Sequence, residues 1–272
     1  LQGRVPGWSP PAPAIGPWKP VRLETGPVTP KAVYLKSRLE GTTGIVTIDA
    51  SFLNDGTIQR GSIRVGSQVA PLHFEREISG FSIRGEIQIP EARVWWPHTH
   101  GQPVLYNCEL ILETEHARHV IACHPIGFRT LEVVTASNSE ASDDLFDVRI
   151  NGHTVFCRGA CWTVADILSL CGSEEQLRKD LTLARDAGVN MLRVGGTMVY
   201  ESDAFYRICD ELGILVWQDF MFANMDYPVD DEGFRSNIAA EVTEQLKRLS
   251  AHPCVVIYCG NSEIEQQAAM LG

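Results

Sequence analysis

Apolar and polar positions alternate with period two through the first half of the chain. The clearest runs are 46–50, where Val46, Ile48 and Ala50 interleave with Thr47 and Asp49, and 81–89, where Phe81, Ile83, Ile87 and Ile89 interleave with Ser82, Arg84, Glu86 and Gln88. Alternation of this kind turns one face of each segment to a core and the other to water. Looser runs follow at 105–112 and 120–123, and Asn54, Asp55 and Gly56 supply a turn signal between runs. Several short strands at close spacing over about 100 residues predict an antiparallel sandwich of immunoglobulin-like type across 31–133. Ahead of it, eight of the fifteen prolines fall within residues 1–30, so no regular helix forms there. One short strand is expected at 21–24.

A polar stretch at 134–144, with Thr135, Ser137, Asn138, Ser139 and Ser142, ends this pattern. Phe146, Val148 and Ile150 then alternate with Asp147 and Arg149. Asn151 and Gly152 turn, and Thr154, Val155 and Phe156 return, which predicts a hairpin. Beyond it the period becomes helical. Leu177, Leu181 and Ala184 share one face after a Ser173/Gln176 capping pair, and Gly188 closes that helix. Phe205, Ile208, Cys209 and Leu212 form a second stripe closed by Gly213. Phe234, Ile238, Val242, Leu246 and Leu249 form a third that stops before Pro253. Short apolar strands lie between them at 190–194, 214–217 and 254–259, and the tail from Ile264 has a helical pattern.

Strands separated by amphipathic helices predict parallel β with covering helices. Strand starts near 155, 190, 214 and 254 are about 33 residues apart. Eight such units make about 260 residues, the usual (β/α)₈ size. Residues 134–272 then hold the first half of a TIM barrel, or else a small open α/β sheet complete in itself. No glycine-rich phosphate loop follows any of the strands. Polar residues collect instead at strand carboxyl ends, at Arg158, Arg193, Gln218, Asp219 and 261–263, and in a barrel that end is the catalytic one.

Composition narrows the function classes. The 272 residues are 44% hydrophobic and 21% charged, an ordinary globular balance. A net charge of −11 leaves no basic stripe for nucleic acid, and no apolar run is long enough to span a membrane. The balance, with six tryptophans, is compatible with a neutral polar ligand such as a sugar. The eight cysteines include no CxxC pair, so zinc is not expected. His98 and His100 sit in a loop-like context, and no cofactor is implied. The chain starts at Leu1 without a charged start and apolar core, so the expected compartment is the cytoplasm.

Glu263 follows the fourth strand through Gly260, Asn261 and Ser262. A carboxyl group there can act as a general acid if burial keeps it protonated, or it can simply complement a helix N-terminus. Glu265 is a second carboxylate close by. Arg193, near the end of an apolar strand, needs a carboxylate partner. It either orients a catalytic carboxylate or forms a structural ion pair. Trp217, Gln218 and Asp219 would line the mouth, with Trp162, Trp217 and Phe220 as sugar-stacking faces.

These residues resemble a family. Ile126, Gly127, Phe128, Arg129 followed by Phe156, Cys157, Arg158, Gly159, Ala160 look like the sandwich-to-barrel junction of family 2 glycoside hydrolases. Trp95, Trp96, Pro97 with 101–106 resemble a signature of that family's immunoglobulin-like domain, and 15–21 the end of its jelly-roll domain. The runs 190–194, 209–222 and 260–263 are most similar to the β-mannosidase branch. The resemblance implies retaining hydrolysis of terminal β-mannosides, with Glu263 as acid/base, Arg193 and Asn261 positioning substrate or carboxylate, and Trp217, Gln218 and Asp219 at the mouth. The substrate would be an oligosaccharide or glycoside. It further implies a fragment: residues 1–30 as a jelly-roll remnant, one sandwich, and half a barrel without the nucleophile, inactive alone. The chain departs from the branch at Gly7, Gly195 and Ser262. The alternatives are a family 2 hydrolase for another β-glycoside, and a non-catalytic carbohydrate-binding protein on the same scaffold.

Overall fold

The computed structural model describes residues 21, 23, 28–53, 58–78, 80–135, 146–166 and 169–264. The expected jelly-roll remnant lies almost wholly outside these residues, as do the turn at 54–56, most of the polar stretch at 134–144, and the tail beyond Ile264. Val21 and Leu23 carry no secondary structure and are exposed, so the short strand expected at 21–24 is not seen at those positions.

The alternating segments form seven antiparallel strands: β1 (Thr29–Glu40), β2 (Thr43–Leu53), β3 (Arg60–Val65), β4 (Gln68–Glu77), β5 (Gly80–Ile89), β6 (Cys108–Glu113) and β7 (Arg118–Ala122). The expected sandwich takes the form of two antiparallel arms, β1-β2-β5-β4 and β4-β3-β6-β7, that share one core and are continuous through β4 as one curled sheet, so the strand order reads β1-β2-β5-β4-β3-β6-β7. The join is β4, whose residues 68–72 pair with β3 while 73–77 pair with β5. The β2/β5 arm contributes Ile48, Phe52, Phe81 and Ile83 to a core shared with Ile63, Val65, Leu110 and Leu112 from the β3/β6 arm. Period two survives the curl because each strand still buries one face.

A small sheet follows, ordered β10-β9-β8, from β8 (Leu131–Thr135), β9 (Phe146–Ile150) and β10 (His153–Val155). β9 and β10 are the predicted hairpin, turning at Asn151 (φ 49°) and Gly152 (φ 78°). β8 pairs with β9 and with no strand of the seven-stranded sheet, so the change of sheet falls before Leu131. The strand expected to start near 155 is two elements, β10 and then β11 (Gly159–Trp162), which opens a parallel sheet with β12 (Met191–Val194), β13 (Leu215–Asp219) and β14 (Val255–Cys259).

Three helices intervene: α1 (Glu174–Asp186), α2 (Asp203–Leu212) and α3 (Glu232–Leu249). Ser173 Oγ caps α1 by accepting the Gln176 N–H at 3.2 Å, while the Gln176 side chain turns to Asp180 rather than completing the reciprocal bond. Gly213 ends α2 in the left-handed conformation (φ 69°), and a Cβ there would lie 2.6 Å from His98 N. Leu177, Leu181, Phe205, Tyr206 and Ile208 pack on Leu192, Val194, Leu215 and Val216. In α3 only Leu249 of the predicted stripe is fully buried. No helix among the described residues is long and apolar enough to cross a membrane.

The curled sheet and the parallel unit are hydrogen-bonded together. Arg129 donates from Nε to Pro253 O at 2.5 Å and from Nη2 to Val255 O at 2.7 Å, and Ser250 Oγ donates to Leu35 O at 2.8 Å. At the centre is Asp210, whose side chain has no exposed surface. Its Oδ1 accepts the Cys254 N–H at 2.9 Å, and its Oδ2 faces His252 Nδ1 at 2.6 Å and His124 Nε2 at 3.0 Å. Trp95 Nε1 donates to the Asp210 carbonyl at 2.8 Å. His124 and Trp95 come from the sheet side, Asp210 from α2, and His252 from the approach to β14.

This cluster makes stability depend on pH. Burial lowers the pKa of His252 from its ordinary 6.5, outweighing the attraction of Asp210. Burial would raise the Asp210 carboxyl, but His252 and His124 outweigh it and bring it down to about 2. Both folded values lie below the unfolded ones, so the unfolded chain binds more protons on acidification. The His252 contribution is lost as pH falls below about 6.5, and the Asp210 contribution between 3.8 and about 2. Thermal unfolding from pH 7 to pH 5 should show a falling Tm, with a shallower slope in His252→Gln. A flat Tm across that range contradicts the assignment.

Candidate active site

Parallel pairing fixes which side chains share a face. Cys161, Arg193, Trp217 and Ile257 are partners across neighbouring strands, as are Trp162, Val194, Gln218 and Tyr258, and Asp219 pairs with Cys259. Side chains alternate along a strand, so Arg193, Trp217 and Asp219 leave one face and Gln218 the other. α2 covers the Gln218 face: Tyr206 OH donates to Gln218 Oε1 at 2.5 Å, and Trp162 packs on Phe205 with ring centroids 5.2 Å apart. The opposite face opens onto a cavity of about 320 Å³ lined by Cys157, Cys161, Met191, Arg193 and Trp217 together with Gly159 and Ala160.

On that open face Arg193 and Asp219 form an ion pair between adjacent strands. Nη2 donates to Oδ2 at 2.7 Å, and Nε lies 3.2 Å from Oδ2 and 3.3 Å from Oδ1. The Asp219 side chain is fully buried and the Arg193 side chain 35% exposed. The hydrogen bond to Asp219 raises the Arg193 pKa further, against desolvation, so the guanidinium is a permanent cation. The Gly196 N–H adds a third donor to Asp219 Oδ2 at 3.1 Å. The guanidinium carbon sits 5.6 Å from the Trp217 ring centroid, a cation–π distance. Nη2 also reaches Ser262 Oγ at 3.4 Å.

Ser262 draws the next loop into the group. Its N–H donates to Phe222 O at 2.8 Å, its carbonyl accepts the Asn224 N–H at 3.1 Å, and Ala223 is its parallel bridge partner. Gly196 packs beneath, where a Cβ would lie 2.7 Å from Phe220 O and 3.1 Å from Ser262 Cβ. Glu263 follows with φ 58°, a conformation uncommon outside glycine, and is exposed. Asn261 is exposed as well, its carbonyl accepting from Cys259 Sγ at 2.9 Å.

Of the predicted site residues, the structure groups Arg193, Trp217 and Asp219 on one face and sets Asn261 and Glu263 at the rim of the same sheet, joined through Ser262. Gln218 is the correction. Expected at the mouth, it is fully buried against Tyr206, because it lies between two residues that face the other way. The period-two rule, applied within 217–219, would have separated it. The burial expected around Glu263 is not supplied by the described residues, and Glu265 lies outside them. Sequence reasoning missed Gly196 as a member of the group and the contact of Ser262 with Arg193. Phe220 is buried and faces Tyr258 at 6.2 Å rather than joining Trp217. His98 and His100 go to Val189 O and Thr99 Oγ1. Among the described residues, the group whose side chains could hold a metal ion is His124, Asp210 and His252. Its distances are those of hydrogen bonds, with both carboxylate oxygens already engaged.

A curled antiparallel unit docked on parallel β/α units is a fold shared with solved β-glycosidases. The solved β-D-mannosidase of Dictyoglomus thermophilum matches 86% of this chain at 32% identity with a TM-score of 0.72. A Parabacteroides merdae β-glucuronidase shares the fold at a TM-score of 0.70 and 21% identity. The β-mannosidase of Bos taurus is 34% identical over 97% of the chain, and β-mannosidase B of Aspergillus terreus is 34% identical over 94%. No family model matches. Over nearly its whole length the chain is similar to β-mannosidases. It spans about 31% of the length of the curated relatives it matches.

The ion pair gives a stability test. Arg193→Ala leaves Asp219 buried and unpaired, at a cost towards the lower end of roughly 3–5 kcal/mol because Arg193 is partly solvated. Replacing both by leucine should recover most of that loss. Urea unfolding that finds the double variant no more stable than Arg193→Ala contradicts the pairing.

Proposed function

We propose that the protein carrying this chain is a retaining exo-β-mannosidase in which Glu263 is the acid/base. The observation that carries this reading is the placement of Glu263. It leaves the rim of the parallel sheet directly after Ser262, which is bonded to Arg193, and it is exposed. Protonating a glycosidic oxygen and later deprotonating water both need a carboxyl group free to meet substrate. Asp219 cannot share that work, since Arg193 and Gly196 hold it and it has no exposed surface. In this reading Arg193 and Asp219 hold the rim in shape, Trp217 offers an apolar face, and Asn261 meets sugar hydroxyls. The second carboxylate of a retaining pair, about 5–5.5 Å away, comes from outside residues 1–272.

The same reading takes the four parallel strands as the first half of a TIM barrel. In support, α2 lies on the Gln218 face while the Arg193 face opens onto a cavity. A doubly wound sheet would carry helices on both faces. The chain then divides ahead of Leu131, since β8 pairs with β9, into a β unit and a catalytic unit.

Two experiments on the full-length protein test the assignment. Among nitrophenyl β-glycosides, the mannoside should have the highest kcat/KM, and a preferred glucuronide, galactoside or glucosaminide would sink the mannose specificity alone. Glu263→Gln should lower turnover of substrates with poor leaving groups by roughly 10²–10⁴-fold. Activated leaving groups should lose less in the glycosylation step, and azide should restore part of the rate. Near wild-type rates on all substrates would show that another carboxylate is the acid.

A further inference from the structure

The loop after β13, from 220 to 227, is held by two phenol groups. Tyr200 OH accepts the Met221 N–H at 3.2 Å and donates to Glu241 Oε1 at 2.7 Å. Tyr227 OH accepts the Ala223 N–H at 2.9 Å and lies 3.2 Å from Ala223 O, to which it donates. One hydroxyl thus closes both backbone groups of one residue. Ala223 has no exposed surface, so without that hydroxyl its N–H and C=O would be unpaired away from water. The Tyr227 ring is fixed between Phe222 at 5.5 Å and Phe234 at 6.1 Å, measured between ring centroids. Burial pushes the Tyr227 phenol pKa up, so the donated proton stays in place through neutral pH.

Ala223 is the bridge partner of Ser262. Ser262 is bonded on both sides of its backbone to this loop and through its hydroxyl to Arg193. Glu263 comes next in the left-handed region, where a non-glycine residue stays only if its surroundings hold it. We propose that Tyr227 is a positioning residue for Glu263: its hydroxyl fixes Ala223, Ala223 fixes Ser262, and Ser262 sets the direction in which Glu263 leaves the rim. The proposal rests on the reading of Glu263 as acid/base and adds the element that aims it.

The test compares Tyr227→Phe with Glu263→Gln in the full-length protein, on β-mannosides of graded leaving-group ability. A misaimed acid transfers its proton poorly. Tyr227→Phe should therefore lower kcat for poor leaving groups by about 10- to 100-fold, with KM and the dinitrophenyl substrate little changed. The limb of the pH–rate profile that Glu263→Gln removes should shift. A loss of packing alone would lower every substrate by one factor, in proportion to the folded fraction. Uniform loss, or wild-type kinetics, beside a leaving-group-dependent Glu263→Gln overturns the positioning role while the acid/base reading stands. A Glu263→Gln without leaving-group dependence removes the acid/base reading and the proposal with it. If Tyr227→Phe does not fold, Phe234→Leu frees the ring while keeping the hydroxyl. It should show the same leaving-group signature more weakly, and a uniform loss there overturns the proposal.

Discussion

Asp219 is a carboxylate with no exposed surface at the end of a mostly apolar strand, and such a charge persists only when it is paired. The pairing fixes much of what surrounds it. Arg193 must reach across from the neighbouring strand, so both residues occupy the same face. The loop after β12 must come close enough for the Gly196 N–H to reach Oδ2, which the absence of a Cβ permits. The Arg193 Nη2 that holds Oδ2 also reaches Ser262 Oγ, so the end of β14 is drawn into the same group. Four separate segments are thereby set around one buried charge, and Glu263 and Asn261 leave the rim from that fixed point.

Asp210 applies the same constraint where α2 and the approach to β14 meet the curled sheet. It is buried, it belongs to α2, and it is held by His252, by the Cys254 N–H and by His124 from the curled sheet. A carboxylate without water must collect donors, and these come from elements distant in sequence. The curled sheet is therefore not a free-standing module beside the parallel unit. Arg129 strengthens the junction by closing the carbonyls of Pro253 and Val255, at the entry to the strand that ends at the rim.

The repeating parts of the fold were legible in the sequence, because strands and helices bury one face at a fixed period. Glycines marked the ends of α1 and α2 for the same local reason. The join at β4 was not legible, since one strand pairing with two partners leaves no mark on its own alternation. Nor was the break between β10 and β11, where two short strands follow one another without a polar stretch. In the site, Arg193 announced itself as a charge at an apolar strand end, and Glu263 through resemblance. Gln218 was misplaced because adjacency in sequence was taken for adjacency in space. Ser262, Tyr227 and the Asp210 cluster act through contacts between loops far apart in the chain, and no periodicity reports those.

The central claim is that the rim built around Asp219 presents Glu263 to a glycosidic oxygen. The most direct test is a crystal structure of the full-length protein with a mannose-configured amidine-type inhibitor, whose exocyclic nitrogen stands in for the glycosidic oxygen. The account predicts that nitrogen within about 2.6–3.2 Å of the Glu263 carboxyl group, with the Arg193–Asp219 pair intact beneath the ring. An inhibitor whose nitrogen is met by a different carboxylate, or one bound away from this rim, would contradict it.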